Sequence, residues 1–198
     1  MTSTLGPQVL TSQVTLSEYR VLEESAVERH EYHDGKIVAM TGGSIEHSSI
    51  AGNFYLCLAL AFKGTCFKPY NSDLRIWIPE YRRGVYPDIS VIQGEPELHD
   101  DRRDEILNPC LIIEVLSSST EAYDRGDKFR YYRSIPSLSE YVLISQTEAV
   151  IDRYQRTAQN QWLLETYQGL DATLELQTGN LTLAVADLYE GIQVNAPS

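Results

Sequence analysis

The chain has 198 residues, 42% hydrophobic and 22% charged, enough for one domain that buries roughly 70% of its unfolded surface. Its formal net charge of −12 argues against tight nonspecific binding of nucleic acid, which needs a basic face. With no apolar run near the roughly 18 residues of a membrane span, no charged-then-apolar start, and three cysteines (Cys57, Cys66, Cys110) in neither disulfide nor zinc spacing, a reduced, cytoplasmic protein is expected.

Residues 1–14 are polar around Gly6 and Pro7 and read as a flexible leader to a single domain over 15–198. In "TLSE" Thr15 and Glu18 have the capping-box spacing, which predicts a short helix to about Ser25. "HEYHDGKIVAM" (30–40) reads as a hairpin turning at Asp34-Gly35. From Ser44 to Lys63, residues His47, Ile50, Ala51, Phe54, Leu58 and Ala61 recur at helical spacing, and Gly64 supplies the stop. Strand-like runs follow at 65–70, 73–78 and 86–92, then a charged, loop-like stretch at 93–108. "CLIIEVL" (110–116) has the unbroken apolar character of a strand buried on both faces. Ser117 to Thr120 offer N-caps for a second helix over about 121–134, closed by Ile135-Pro136. Strands are predicted at 140–145, 149–156, 161–168 and near 173–176, with a helical turn near 186–189. This order predicts a mixed α/β (α+β) domain: a central mixed β-sheet flanked by helices, an N-terminal helix and hairpin, and extra C-terminal strands.

Glu114 breaks the pattern of its strand. No Lys or Arg lies within ten residues of it, and an unpaired buried carboxylate costs several kcal/mol or takes up a proton. Asp88, directly after Pro87 at a strand entrance, is a candidate to share its site, although Pro-Asp there is equally an ordinary turn feature. Two carboxylates on neighbouring strands repel unless a cation lies between them. Oxygen ligation suits Mg²⁺ or Mn²⁺, with water and substrate phosphate completing the shell.

Charge is unevenly spread. Residues 148–198 hold seven acids against Arg153 and Arg156, a net of −5. "YDRGDKFRYYR" (123–133) instead has Arg125, Lys128, Arg130 and Arg133 against Asp124 and Asp127, a net of +2, and offers a local basic strip for phosphates.

The ordered set "EYHDGKIVAM", His47, "YPDISVI", "IIEVLSSST" and "DKFRYYRSIPSLSEYVLI" resembles the Uma2 family, restriction-endonuclease-like proteins of the PD-(D/E)XK nuclease superfamily that are common in cyanobacteria. The likeness runs from about Glu31 to Leu188. It implies a restriction-endonuclease-like core in which Asp88 and Glu114 hold a divalent cation, assisted by the backbone carbonyl of Val115. The superfamily places a Lys two residues after that acid, where this chain has Leu116. Lys128, on the helix leaving the Glu114 strand, is the natural substitute; its competing assignment is an exposed pair with Asp124 at i and i+4, worth about 0.3–0.5 kcal/mol. Glu31, His47 and Asp73 are supporting candidates, each with an ordinary structural alternative. Tyr132 is expected to pack, and Ser117 to Thr120 to cap rather than attack, no His being placed as a base.

The expected activity is metal-dependent endonucleolytic hydrolysis with Mg²⁺ or Mn²⁺, on DNA by family likeness and with RNA open. Two alternatives stand beside it: a catalytically inactive module for protein interaction or assembly, and a hydrolase of small phosphoesters. The 13 tyrosines and the strand-rich C-terminal half suit a homodimer.

Overall fold

The computed structural model describes residues 9–40 and 42–195. Most of the expected leader, residues 1–8, lies outside them, but its last part is ordered as β1 (Val9–Ser12). The capping box opens α1 (Leu16–Ser25): Thr15 Oγ1 accepts from Glu18 N at 3.2 Å, and Glu18 accepts from Thr15 N at 2.8 Å. Strands β2 (His30–His33) and β3 (Lys36–Ala39) form the hairpin, with Asp34 and Gly35 both at positive φ (44° and 87°) as a tight two-residue turn requires. Ser44 caps α2 (Ile45–Ala61) by accepting from His47 N at 3.1 Å, and Gly64 turns the chain away at φ 79°.

Next come β4 (Phe67–Asn71), β5 (Arg75–Ile78), β6 (Arg83–Val85), β7 (Ile89–Gln93), β8 (Glu105–Ile106) and β9 (Pro109–Leu116). The second helical segment is α3 (Glu121–Tyr123), a π-helical turn (Asp124–Lys128) and α4 (Phe129–Tyr132). The chain continues through β10 (Glu140–Ser145), β11 (Val150–Arg156), β12 (Trp162–Gln168), β13 (Thr173–Leu176), β14 (Leu181–Ala184) and α5 (Val185–Leu188).

The fold class is the mixed α/β one read from the sequence, with more sheet than expected. One six-stranded sheet has the order β12-β11-β10-β9-β7-β4, a second the order β1-β3-β2-β6-β5-β8, and β13 pairs with β14. The second sheet was hidden because β6 has three residues and β8 two, too few to show a period.

Strand β9 lies inside the first sheet and is buried throughout. Its side chains alternate between faces, as a pleat dictates. Leu111, Ile113 and Val115 pack with Ile50, Phe54 and Leu58 of α2. Ile112 and Leu116 pack with Tyr131, Tyr132 and Ile135 behind the other helical segment. Glu114 has the phase of this second set. Strands β9 and β10 run parallel and end together at Leu116 and Ser145, and a 3.0 Å bond from Ser44 Oγ to Gln146 Oε1 fixes the start of α2 beside those ends. Carboxyl ends of parallel strands are where open α/β sheets commonly bind ligands. Among the described residues, no helix is long and apolar enough to cross a membrane.

Candidate active site

Strand β7 runs antiparallel to β9 with Ile89 opposite Ile113, so the next pair along the ladder is Asp88 and Glu114. The two acids named from the sequence are therefore neighbours across one strand pair. Glu114 Oε1 receives Lys128 Nζ at 2.8 Å and the Tyr132 hydroxyl at 2.9 Å. Lys128 thus does reach back from its helix to Glu114. It also meets Asp124 Oδ1 at 3.4 Å, so the i, i+4 pair exists as well, but buried rather than in solvent.

The π-helical turn spans Asp124 to Lys128 itself. Such turns are rare inserts found frequently at functional sites, and this one carries two buried charged side chains, Asp124 and Lys128. Tyr132 follows one turn later on α4, so its hydroxyl orients the carboxylate as well as packing.

Asp88 Oδ2 accepts from the backbone N–H of Val115 at 2.7 Å and faces His47 Nε2 at 3.2 Å. His47 reaches it from the first turn of α2, on the opposite face of the sheet from Lys128. Gly43 makes this possible: a Cβ there would fall 2.7 Å from His47 Nδ1, so only glycine lets the ring lie where it does. Asp88 and His47 line a groove of about 750 Å³, and Glu114 and Lys128 are not among its lining residues.

Negative charge outweighs positive charge in this cluster. Burial pushes the Glu114 carboxyl up to about 8 against the pull of Lys128, and Asp88 and Asp124 push the same way. Burial likewise raises Asp124, with Lys128 opposing. Burial alone would lower the Lys128 ammonium, but Glu114, Asp124 and Glu31 together hold it well above its ordinary value. The hydrogen bond to Asp88 raises His47 despite burial.

The donor set fits a hard cation. The side-chain contacts of Glu114 fall on Oε1 and the contacts of Asp88 on Oδ2, which leaves one oxygen of each for a metal. Among the described residues, no group of three or more His, Cys, Asp or Glu side chains is arranged to hold a metal unaided. A two-carboxylate site completed by water and substrate phosphate is how Mg²⁺ is usually bound.

Other residues are placed as follows. Glu31, on β2, is buried; its Oε2 meets His33 Nε2 at 2.7 Å and its Oε1 accepts from Tyr86 N at 3.3 Å. Burial pushes its carboxyl up, but His33, Lys128 and the Tyr86 N–H outweigh this and hold it below the usual range. It supports the cluster through the field of Lys128. Asp73 makes no contact with Asp88 or Glu114: it is exposed and pairs with Arg29. The basic strip is only partly available at the surface, where Arg133 is exposed with no acid paired to it among the described residues. Lys128 is buried, Arg125 is bound to Glu121 and Asp152, and Arg130 lies 3.1 Å from Asp127.

Comparison with known proteins agrees with this architecture. The crystal structure of a "putative nuclease belonging to DUF820" from Anabaena variabilis superposes with a TM-score of 0.72 at 20% identity, over 88% of this chain and 97% of that one. Two uncharacterized proteins of Synechocystis sp. are similar in sequence. One, sll1609, is 38% identical over 165 residues, covering 83% of this chain and 93% of that protein. The other, slr1290, is 40% identical over 189 residues, covering 94% and 97%. Residues 16–186 match the family described as "Uma2: Putative restriction endonuclease", and the chain belongs to that family.

Proposed function

We propose that this protein is a metal-dependent nuclease that hydrolyses phosphodiester bonds in nucleic acid, with Asp88 and Glu114 as the ligands of a Mg²⁺ or Mn²⁺ ion. The observation that carries the proposal is the juxtaposition of Asp88 and Glu114 across β7 and β9, with Lys128 Nζ 2.8 Å from Glu114. That one group supplies the positive charge that Leu116 cannot. When bound, the cation would draw charge from the scissile phosphate and ease deprotonation of an attacking water.

The chain's own residues have separable tasks. Lys128 favours the ionised form of Glu114 and places a fixed positive charge near the negative charge that develops on phosphate. The Tyr132 hydroxyl and the Val115 N–H lock one oxygen each of Glu114 and Asp88, which fixes the orientation of the other oxygens. His47, with Gly43 beneath it, holds Asp88 from the groove side. The family description and the nuclease-like neighbour support the reaction class. DNA is the favoured substrate on the family's description as a restriction endonuclease.

Asp88→Asn tests the assignment. With Mn²⁺ and a panel of DNA and RNA substrates, the wild type should cleave and the variant should lose at least about 100-fold while keeping its thermal midpoint, since electrostatic stabilisation of this kind is worth about 10²–10³ in rate. Undiminished cleavage by a folded Asp88→Asn protein would remove Asp88 from the mechanism.

A further inference from the structure

The groove beside Asp88 is built for something other than a phosphate backbone. Its volume of about 750 Å³ falls within the roughly 300–1,000 Å³ of small-ligand sites, and Asp88 and His47 at its wall make whatever fills it a neighbour of the reacting bond. Ser48, Ala51, Gly52 and Tyr55 of α2 form one of its walls, spaced as a single helical stripe. Tyr55 is 36% exposed, and Val27 at the rim is fully so.

Gly52 is the informative member. It sits inside a 17-residue helix, where glycine costs roughly 1 kcal/mol against alanine. Packing does not demand it, because a Cβ there would meet nothing within 4 Å. The open space at Gly52 belongs to the groove.

The charges point the same way. Arg29, the one Lys or Arg among the lining residues, is already bound to Asp73 and to the Ser72 carbonyl. None of the cations of the 123–133 segment lines the groove. A duplex, held mainly through its phosphates, finds few partners here. An unpaired nucleotide brings a flat apolar face, which aromatic rings bind with little regard to sequence.

Resting on the nuclease reading of the adjacent acids, we infer that the groove seats one unstacked nucleobase next to the scissile phosphate. Tyr55 is its stacking ring, Gly52 supplies the room, and Ser48 and Ser72 supply hydroxyls for its edge. The substrate class is then single-stranded or locally unpaired nucleic acid.

The test measures binding apart from cleavage, by fluorescence anisotropy with Ca²⁺ in place of Mn²⁺. The probes are a labelled single-stranded 12-mer, its blunt duplex, and the single strand with an abasic residue. The single strand should bind at least about 10-fold more tightly than the duplex, and the abasic strand should lose affinity. Tyr55→Ala should weaken single-strand binding about 5- to 150-fold, the range for one lost base stack. Gly52→Leu, which improves helix propensity and whose Cβ meets nothing within 4 Å, should weaken it by filling the space while leaving Mn²⁺ affinity, measured by calorimetric titration, unchanged. Equal binding of duplex and single strand, no detectable single-strand binding, or groove variants within twofold of wild type would overturn the inference, even if duplex cleavage upheld the nuclease. The expected binding pattern without cleavage of any substrate in Mn²⁺ would support the groove and reject the hydrolysis.

Discussion

Replacing Lys128 with Met probes the centre of the electrostatic argument. Met retains an unbranched apolar stem and so most of the packing, but removes the charge. The Lys128 side chain is 11% exposed, and those of Glu114 and Asp124, at 2.8 and 3.4 Å, are 4% exposed each. Breaking a buried pair in this way typically costs about 3–5 kcal/mol, because the remaining charge is stranded. For a chain of this size each kcal/mol shifts the midpoint by about 2–4 °C, so the loss should be roughly 6–20 °C. Burial already pushes Glu114 up to about 8, and without Lys128 it rises further. Protonation then limits the damage at low pH, and the destabilisation should deepen from pH 6 to pH 9. Adding Glu114→Gln should recover part of the loss, with a coupling of about 1–3 kcal/mol in the double-mutant cycle. Urea and thermal denaturation in EDTA measure all of this. Mn²⁺ should restore part of the midpoint in Lys128→Met by supplying the missing positive charge. A loss below about 1 kcal/mol with additive effects would mean that Lys128 is a solvent-facing partner of Asp124, and the reasoning would fail.

Two further outcomes follow from the same charges. The folded Glu114 carboxyl, at about 8 against an ordinary 4.5, keeps a proton that the unfolded chain releases, so its contribution to stability falls as pH rises across that window, by at most about 1.4 kcal/mol per pH unit. Melting of metal-free wild type against Glu114→Gln should show this divergence, and saturating Mn²⁺ should reduce it; parallel pH profiles would refute it. On the second sheet, Arg75 is fully buried with Nε 2.8 Å from Glu105 Oε2, so Arg75→Met should cost about 3–5 kcal/mol by denaturation. Its Mn²⁺ affinity should match wild type, and a large drop would show that the second sheet holds the site rigid.

Much of the fold was legible where its signals are local. The unbroken apolar run of β9, the Thr15–Glu18 box and the Asp34-Gly35 turn each lie within one short window. Glu114 was legible for the opposite reason: it contradicts its window, and the contradiction required a partner. What stayed hidden depends on pairs far apart in the chain. Glu105 looked like part of a charged loop because the residue that neutralises it, Arg75, is thirty positions away. The burial of Asp124 was invisible because an i, i+4 acid and base look alike on a solvated helix and under a sheet. The π-helical turn joining them changes hydrogen bonding without changing composition. The pairing of Asp73 with Arg29 and of Arg125 with Asp152 was hidden for one reason: residue counts give net charge, but not which Arg is already bound to an acid.

The alternative of a non-catalytic module meets an energetic objection. Buried ion clusters are poor stabilisers, and well-packed apolar residues of similar volume often do as well or better. A scaffold gains nothing from setting Glu114, Asp124 and Glu31 around one Lys, with Asp88 beside Glu114 and the Glu114 carboxyl pushed up to about 8 by its surroundings. Nor does it gain from a helix-interior glycine that packs against nothing, or from a glycine at 43 that serves to admit a His ring beside Asp88. Each of these features is a local cost, and they converge on one end of β9. On the proposed reading, a cation relieves the excess of negative charge and a ligand fills the space beside it. Leu116 does not by itself favour the non-catalytic reading, because Lys128 brings a charge to Glu114 from the next helix. The element that supplies the charge differs, while the face of β9 that it meets is the same one on which Leu116 lies.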